Sequence, residues 1–477
     1  MILFGTDGWR AVIADGFTFA NVRSLGRAVA RMWRNGAGQA SALVGYDRRF
    51  LSEAFADELA KAMASEGLLV YLCAGPVTTP LAAFAGVRRG TRGSAIITAS
   101  HNPPAYSGVK LRAATGAPID DTTARALEQL VRSGGPAAAG APPARIERID
   151  PCPEYAAQLL SLAKPRAGLK VVVDAMYGAA SGLMAGIFRR AGCRVWEIHQ
   201  RRDPLFGGFP PEPKACRLTA LSAAVRRHGA DVGLASDGDG DRLAAVDATG
   251  EYVDPHRLFA LLLGYLACER KLTGAVVKTF STSWLVDREA ARLGLPVVET
   301  AIGFKYVAGA MVAGGTLVGG EESGGLGFSF HLPERDAILA GLFLAELLSV
   351  RGRPLAQEVE LLQVRSGPLH FTRADLPCTE RQRLSLARHP SRWRDPVRAA
   401  MGPGEIIAGD GIKFVSSDGW LLVRWSGTEP VLRLYAETPS PQQTARKLRS
   451  AADIVRRVME DEERRAPHRA RPGSRRT

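Results

Sequence analysis

Apolar runs separated by helical patterns form one repeated unit in the first three-quarters of the chain. In this unit, a short apolar run precedes a segment with helical spacing, and a second apolar run follows. The three copies cover residues 42–73, 170–198 and 275–299. A glycine ends the helical segment each time, at Gly67, Gly192 and Gly294. The pattern predicts βαβ units, and hence three related α/β domains with mixed, mainly parallel sheets.

The last quarter of the chain has a different pattern. Residues 411–416, 419–425 and 431–436 look like strands of an antiparallel sheet, and 441–459 like a closing helix. We therefore expect a smaller C-terminal α+β domain. The predicted division is α/β domains at 1–145, 146–254 and 255–366, the α+β domain at 367–460, and a disordered basic tail at 461–477.

Composition agrees with a globular protein that has large cores. Of the 477 residues, 46% are hydrophobic and 23% are charged. No signal-peptide pattern is visible, and the most apolar stretches, 258–267 and 338–348, are too short to span a bilayer. The six cysteines are scattered without a CxxC pair, which favours reduced thiols. We expect a cytoplasmic protein without a membrane segment, present as a monomer or homodimer.

The net charge of +14 leaves two classes of partner to consider. Much of the basic excess lies after residue 463, where arginines occur without any acidic residue between 464 and the end. No aromatic residues alternate with basic ones in the manner of single-strand binding proteins. The charge therefore suits a small anionic ligand, and the sequence argues against nucleic acid as a partner.

The first stretch with chemical potential is Thr-Ala-Ser-His-Asn-Pro-Pro at residues 98–104, directly after a short apolar strand. Proline fixes φ, and the residue before it avoids the helical region, so a rigid loop is expected. Ser100 would lie near the tip of this loop. A serine needs a neighbouring base, a lowered pKa or a metal to act in group transfer, and His101 follows it directly.

The second stretch is Asp-Gly-Asp-Gly-Asp-Arg at residues 237–242, again after a strand. Asp237, Asp239 and Asp241 alternate, so their carboxylates can point to one side of an extended backbone. Carboxylate oxygens suit Mg²⁺, which completes its shell with water and phosphate oxygens. An EF-hand is excluded because the glycine and the glutamate that its loop requires are replaced by Arg242 and Ala248.

Two further glycine-containing turns offer hydroxyls and charges. Residues 319–325 form a glycine-rich loop after an apolar strand, in which Glu321 and Ser323 could read the hydroxyls of a sugar. Residues 424–430 combine one arginine with the hydroxyls of a Ser-Gly-Thr turn, which predicts a phosphate site. The chain also opens on a glycine-punctuated turn that ends in Arg10.

Together these stretches resemble the α-D-phosphohexomutase family, which includes phosphoglucomutases, phosphomannomutases and phosphoglucosamine mutases. The resemblance covers the chain from Phe4 to about Met459, with the motifs in family order. The family's fold, three related α/β domains and a smaller fourth one around a central cleft, agrees with the division above.

The resemblance implies roles for individual residues. Ser100 resembles the serine that carries the phosphoryl group, and an oxygen of its phosphate would join three aspartates around one Mg²⁺ ion: Asp237, Asp239 and Asp241. The catalytic set would also contain Arg10, His101, Lys110, Arg242 and Lys305. Substrate would be bound by Lys278, by the sugar readers Glu321 and Ser323, and by the phosphate site at Arg424, Ser426, Gly427 and Thr428.

This chain departs from part of the family at two positions. Gly325 and Phe304 stand where other bacterial members place histidines. The local patterns Gly-Phe-Lys at 303–305 and Gly-Glu-Glu-Ser at 320–323 resemble those of glucose-type phosphoglucomutases. Without the two histidines, Lys305 or His101 is the candidate for the acid/base residue.

The sequence thus predicts a Mg²⁺-dependent phosphoglucomutase/phosphomannomutase, an isomerase that uses an enzyme phosphoserine. Hexose 1,6-bisphosphate would be its intermediate and activator, and glucose its most suitable sugar, with mannose as a second one. The alternatives are a phosphoglucosamine mutase of the same family, a phosphatase with an aspartyl nucleophile, and a non-catalytic binding protein. The motif of such phosphatases is Asp-x-Asp after a strand, and it normally continues to Thr or Val. Here Gly240 and Asp241 follow Asp239, which argues against a phosphatase.

Overall fold

Four β-sheets organise the chain in the computed structural model, which describes residues 2–34, 40–134, 144–426 and 430–464. The side chains of 462–464 are outside this description. The chain divides into two compact units between Ser366 and Gly367. The first unit contains three mixed sheets and the second contains one antiparallel sheet.

The first sheet has six strands in the order β1-β5-β4-β2-β3-β6. Its strands are β1 Trp9–Val12, β2 Ser41–Tyr46, β3 Leu69–Cys73, β4 Gly93–Ile97, β5 Tyr106–Ala113 and β6 Ile146–Ile149. Strands β4, β2, β3 and β6 run parallel, whereas β5 and β1 are antiparallel additions at one edge.

The second and third sheets follow the same plan with five strands each, in the orders β11-β10-β9-β7-β8 and β13-β12-β14-β15-β16. The second contains β7 Lys170–Asp174, β8 Arg194–Ile198, β9 Val232–Ser236, β10 Leu243–Asp247 and β11 Tyr252–Val253. The third contains β12 Ala275–Thr279, β13 Val297–Thr300, β14 Thr316–Gly320, β15 Leu326–Phe328 and β16 Leu332–Arg335. In both, three parallel strands continue into an antiparallel hairpin.

Helices connect and cover these sheets. Those of the first unit are α1 Phe19–Arg34, α2 Ser52–Ser65, α3 Thr79–Arg88, α4 Asp121–Ser133, α5 Cys152–Leu162, α6 Leu183–Arg190, α7 Thr219–His228, α8 Pro255–Cys268, α9 Trp284–Arg292, α10 Phe304–Ala313, α11 Ala337–Arg351 and α12 Leu355–Ser366. Among the described residues, no helix combines the length and the apolar character needed to cross a membrane.

The three predicted βαβ units are confirmed. The strand pairs β2–β3, β7–β8 and β12–β13 are parallel, and each encloses the predicted helix. The glycines that end the helices have positive φ angles of 83° at Gly67, 91° at Gly192 and 68° at Gly294. Only glycine adopts this conformation without strain, which is why the sequence pattern located these helix ends well.

The second unit is built on a five-stranded sheet of order β17-β21-β20-β19-β18. Its strands are β17 His370–Pro377, β18 Gly404–Gly409, β19 Gly411–Ser416, β20 Gly419–Trp425 and β21 Val431–Thr438. Its helices are α13 Glu380–Arg388, α14 Ser391–Met401 and α15 Pro441–Arg464. The three predicted strands and the closing helix are present, and the outer strands β17 and β18 were not expected.

Two boundaries differ from the prediction. Strand β6, which we assigned to the second domain, pairs in parallel with β3 and therefore belongs to the first sheet. The boundary at residue 145 was wrong because β6 is short and its exposed edge position gives it no apolar run. Helix α15 includes residues 461–464, so the predicted tail starts too early. Residues 465–477 lie outside the described residues.

Packing of α2 against the first sheet can be tested at Leu59, which is fully buried. We expect Leu59→Ala to lower the free energy of unfolding by about 2–5 kcal/mol, because it removes buried methyl groups and leaves a cavity. Lys61→Ala in the same helix is exposed and serves as the control. Denaturant unfolding of both variants measures the difference; equal stability of the two would contradict this packing.

Candidate active site

Three loops of the first unit occupy equivalent places in the three sheets. Each connects a parallel strand to the antiparallel strand that follows it: β4 to β5, β9 to β10, and β14 to β15. These loops contain the serine motif, the aspartate motif and the Glu-Ser motif, respectively. Ligands of α/β sheets bind beyond the carboxyl ends of the strands, which is where these loops lie.

Ser100 lies buried against the aspartate motif. Its Oγ donates a hydrogen bond of 2.7 Å to Oδ2 of Asp237. Nδ1 of His101 lies 3.3 Å from Oγ of Ser100. The backbone of Ser100 has a left-handed φ of 51°, which costs energy in a residue with a side chain. A strained conformation at this point indicates that the surrounding structure holds the hydroxyl in place.

Three carboxylates form the centre of the site. Asp237, Asp239 and Asp241 are fully buried, and one ligand atom from each lies within 4.8 Å of those of the other two. Glycine is required between them, because a Cβ on Gly238 would be 2.5 Å from the carbonyl oxygen of Ser100. A Cβ on Gly240, whose φ is +72°, would be 2.6 Å from Cγ2 of Thr78.

The aspartates are suited to holding a cation. Oδ1 of Asp239 and Oδ1 of Asp241 are buried without a hydrogen-bond partner among the described residues. Burial, together with repulsion from Asp241 and Asp239, raises the pKa of Asp237 well above its ordinary value. Buried, unpaired carboxylate oxygens are costly unless a cation compensates them, so the residues present fit a hard divalent metal ion.

Lys110 supplies positive charge to this cluster. Its Nζ lies 2.7 Å from Oδ2 of Asp239, 2.6 Å from Oδ2 of Asp241 and 2.9 Å from Oδ2 of Asp7. Burial alone would raise the pKa of Asp239, but Lys110 and the hydroxyl of Thr79 hold that pKa below its ordinary value. The predicted residue Lys110 therefore belongs to the cluster.

Arg335 was not predicted, although it contacts more of the acidic groups than any predicted cation. Its guanidinium lies 2.5 Å from Asp7, 2.9 Å from Asp241 and 3.4 Å from Glu321. It also pairs with Glu334, whose second partner is Arg112. The adjacent Glu-Arg-Asp at 334–336 after an apolar stretch was the available signal.

Three further predicted residues lie at the loops of the serine and aspartate motifs: Arg10, His101 and Arg242. Arg10 donates a 2.5 Å hydrogen bond to Oδ1 of Asn102, next to the serine. Arg242 follows the aspartates and lies 3.8 Å from Glu212. Burial, followed by the charges of Arg242 and Arg10, lowers the pKa of His101 well below its ordinary value, so this imidazole is neutral at neutral pH.

Glu321 is buried beside Arg335, and Ser323 is partly buried in the same loop. The loop lies against the aspartate hairpin, because the amide of Leu243 donates a 3.0 Å hydrogen bond to the carbonyl of Gly324. Burial raises the pKa of Glu321 to about 7, even though Arg335 opposes this shift. The carboxyl group of Glu321 therefore titrates near neutral pH.

Among the described residues, the predicted Lys278 and Lys305 pair with acidic side chains outside this cluster. Nζ of Lys278 lies 2.6 Å from Asp287 and 3.2 Å from Glu299, and Nζ of Lys305 lies 2.5 Å from Asp121. In the second unit, Arg424 lies 2.9 Å from Asp410. Ser426 begins the turn after β20, while Gly427 and Thr428 lie outside the described residues.

Comparison with known proteins gives the family. Models described as phosphoglucomutase/phosphomannomutase match in four consecutive parts: domain I at 1–137, domain II at 153–250, domain III at 254–364 and the C-terminal domain at 377–454. The phosphoglucosamine mutase of Anaeromyxobacter dehalogenans is 32% identical over 95% of this chain and 97% of its own length. This chain belongs to the α-D-phosphohexomutase family.

Other phosphohexomutases agree with this assignment. The phosphoglucomutase/phosphomannomutase of Thermococcus kodakarensis is 29% identical over 96% of this chain and 99% of its own length. A solved phosphoglucomutase/phosphomannomutase family protein from Burkholderia thailandensis has a TM-score of 0.81 and 26% identity, covering 98% of this chain and 99% of that one. The predicted family and the three α/β domains with a smaller fourth domain are confirmed.

Arg335 packs against Gly325 and Phe304, the two positions at which the sequence departs from part of the family. A Cβ on Gly325 would collide with Cδ of Arg335, and the guanidinium carbon lies 5.0 Å from the centre of the Phe304 ring. Glycine at 325 thus leaves room for the arginine, and the aromatic ring at 304 offers it a cation–π contact.

The raised pKa of Glu321 leads to a pH-dependent stability. A carboxyl group whose pKa rises on folding from about 4.5 to about 7 favours the folded state below the unfolded value, and this contribution is lost as the pH rises through 7. We expect Glu321→Gln to be more stable than the parent by on the order of 3 kcal/mol at pH 8.5, with the gain shrinking towards pH 5. Unfolding of both proteins across this pH range measures it; a pH-independent difference would contradict the burial argument.

Proposed function

We propose that this protein is a Mg²⁺-dependent mutase that interconverts hexose 1-phosphate and hexose 6-phosphate, with glucose as its principal sugar. The observation that carries the proposal is the 2.7 Å hydrogen bond from Ser100 to Asp237 within a cluster of three buried aspartates. A hydroxyl at this position would place its phosphate beside a cation held by the same carboxylates.

Asp237, Asp239 and Asp241 would hold the Mg²⁺ ion together with an oxygen of phosphorylated Ser100. Oδ1 of Asp239 and Oδ1 of Asp241, which accept no hydrogen bond among the described residues, support this assignment. When bound, the ion neutralises negative charge on the phosphoryl group during transfer. Lys110 and Arg242 add fixed positive charge around it.

In the proposed reaction, the phosphoryl group leaves Oγ of Ser100 and forms a bond to the free hydroxyl oxygen of the bound sugar phosphate. The proton of that hydroxyl passes to a base, Oγ of Ser100 takes up a proton as the phosphoryl group leaves, and hexose 1,6-bisphosphate results. The bisphosphate then reorients, and its other phosphoryl group returns to Ser100. His101 is the favoured acid/base group at Oγ of Ser100, because its Nδ1 is 3.3 Å from that oxygen. Lys305 is the second candidate, although its Nζ is paired with Asp121.

Glu321 and Ser323 are proposed to read the hydroxyls of the sugar, and Lys278 is proposed as a further substrate-binding residue. The phosphate of the sugar is proposed to be bound by Arg424, Ser426, Gly427 and Thr428. Glu321 is adjacent to the positive charges of Arg335 and Arg242. The sequence patterns Gly-Phe-Lys at 303–305 and Gly-Glu-Glu-Ser at 320–323, which resemble glucose-type phosphoglucomutases, support glucose. We place this activity in the cytoplasm, in a monomer or homodimer.

A phosphoglucosamine mutase is the second candidate. It is favoured by the name of the Anaeromyxobacter dehalogenans relative, which aligns over nearly the whole chain. A panel of purified sugar phosphates separates the two candidates directly.

The role of Ser100 can be tested by substitution. We expect Ser100→Ala to fold normally and to lose mutase turnover to background, because it has no oxygen to carry the phosphoryl group. It should also fail to take up an acid-stable, base-labile label from hexose 1,6-bisphosphate labelled in its phosphates. Ser107→Ala is the matched control, since Ser107 is also buried nearby and its Oγ has no hydrogen-bond partner among the described residues. Normal turnover by Ser100→Ala would exclude the proposed reaction.

Sugar preference is expected to follow the contacts of Glu321. One misplaced hydroxyl that leaves a buried polar group unpaired costs roughly 1–3 kcal/mol, or about 5- to 150-fold in relative rate. Glucose 1-phosphate should therefore exceed mannose 1-phosphate by such a factor in kcat/KM, and both should exceed glucosamine 1-phosphate. Fastest turnover of glucosamine 1-phosphate would instead establish the second candidate.

A further inference from the structure

We propose that Arg49 is a positioning residue that holds the serine loop, residues 98–104, against the aspartate loop, residues 237–242. The proposal rests on the function proposed above, because it assigns to Arg49 the placement of the Ser100 hydroxyl for phosphoryl transfer.

The guanidinium of Arg49 is fully buried and donates four hydrogen bonds to backbone carbonyls. Nη2 donates to the carbonyls of Ser100 at 2.6 Å and Asn102 at 2.7 Å. Nη1 donates to the carbonyls of Pro103 and Tyr106, both at 2.9 Å. One side chain thus holds the serine loop at three points, and a fourth hydrogen bond reaches Tyr106 at the start of β5.

Arginine is suited to this task because its guanidinium is planar and presents its donors in a fixed fork. A lysine ammonium offers three donors around a single nitrogen and cannot reach four carbonyls from one position. The left-handed conformation of Ser100 is unfavourable by itself, and the hydrogen bond to its carbonyl helps to offset this cost.

The carbonyl of Ser100 also lies against the aspartate loop. It lies so close to Gly238 that a Cβ there would be 2.5 Å from the carbonyl oxygen. The amide of Gly238 in turn donates a 3.1 Å hydrogen bond to the carbonyl of Pro211. The carbonyl of Ser100 therefore contacts both Arg49 and the aspartate loop, and we infer that these two contacts set the distance between the Ser100 hydroxyl and Asp237.

Arg49 itself is anchored on rigid elements. Its Nε lies 3.3 Å from Oδ2 of Asp47, which directly follows β2. Oδ1 of Asp47 accepts hydrogen bonds from the amide of Arg49 at 2.9 Å and from the hydroxyl of Ser52, at the start of α2, at 2.6 Å. The Phe206 ring, whose centre is 4.9 Å from the guanidinium carbon, connects Arg49 to the domain that carries the aspartates.

The test compares Arg49→Lys with the parent enzyme. We expect kcat on glucose 1-phosphate to fall about 10- to 100-fold, because a small displacement of a reacting group has effects of this size, while KM changes less than about threefold. Backbone amides of residues 98–107 should exchange hydrogen faster in the variant without ligand. Phe206→Leu should change both measurements in the same direction by less, and it keeps the test valid if the lysine variant folds poorly.

Arg351→Lys is the matched control, because Arg351 is also a largely buried arginine, paired with Glu269 and Glu358 at the end of α11. It should leave kcat and the exchange of residues 98–107 unchanged. The proposal is overturned if Arg49→Lys keeps kcat within threefold with unchanged exchange, or if Arg351→Lys produces the same losses. If the parent enzyme lacks mutase activity, the proposed function fails, and the exchange measurement still decides whether Arg49 holds the loop.

Discussion

The compensation of buried negative charge is the constraint on which the first unit depends. Asp237, Asp239 and Asp241 are fully buried, and a buried carboxylate without a partner is highly unfavourable. Lys110 and Arg335 neutralise part of this charge, and two carboxylate oxygens remain for a cation. The cluster therefore combines charged residues that are contributed by all three sheets and their loops.

Backbone packing gives this cluster its geometry. The carbonyl of Ser100 lies against Gly238, the amide of Thr79 donates to the carbonyl of Asp239 at 2.9 Å, and the amide of Leu243 donates to the carbonyl of Gly324. Side chains larger than hydrogen at Gly238 would separate the loops. The glycines of the aspartate motif thus allow the neighbouring loops to come close, and they also allow the aspartate loop itself to bend.

The three sheets share one plan, and each contributes a loop of different chemistry at the same place. The first contributes a hydroxyl, the second three carboxylates, and the third a carboxyl group that titrates near pH 7 beside an arginine. Such a division lets one structural unit be repeated while only its hairpin turn changes. Gly325 and Arg335 contact each other within the same sheet, because Gly325 lies in the turn between β14 and β15 and Arg335 lies at the end of β16.

The sequence by itself determined the repeated βαβ units, their glycine stops and the motifs of the loops, because these depend on local periodicity and on residues close in the chain. It also placed Ser100 and the three aspartates in neighbouring loops through the family resemblance. Only the tertiary structure decided that Arg335 meets Asp7, that Arg49 meets Ser100 and that β6 joins the first sheet. It likewise decided that Lys278 and Lys305 are paired with acidic residues of their surroundings. Such contacts join residues far apart in the chain, and a buried charge takes whichever partner the packing brings within reach, which local pattern does not encode.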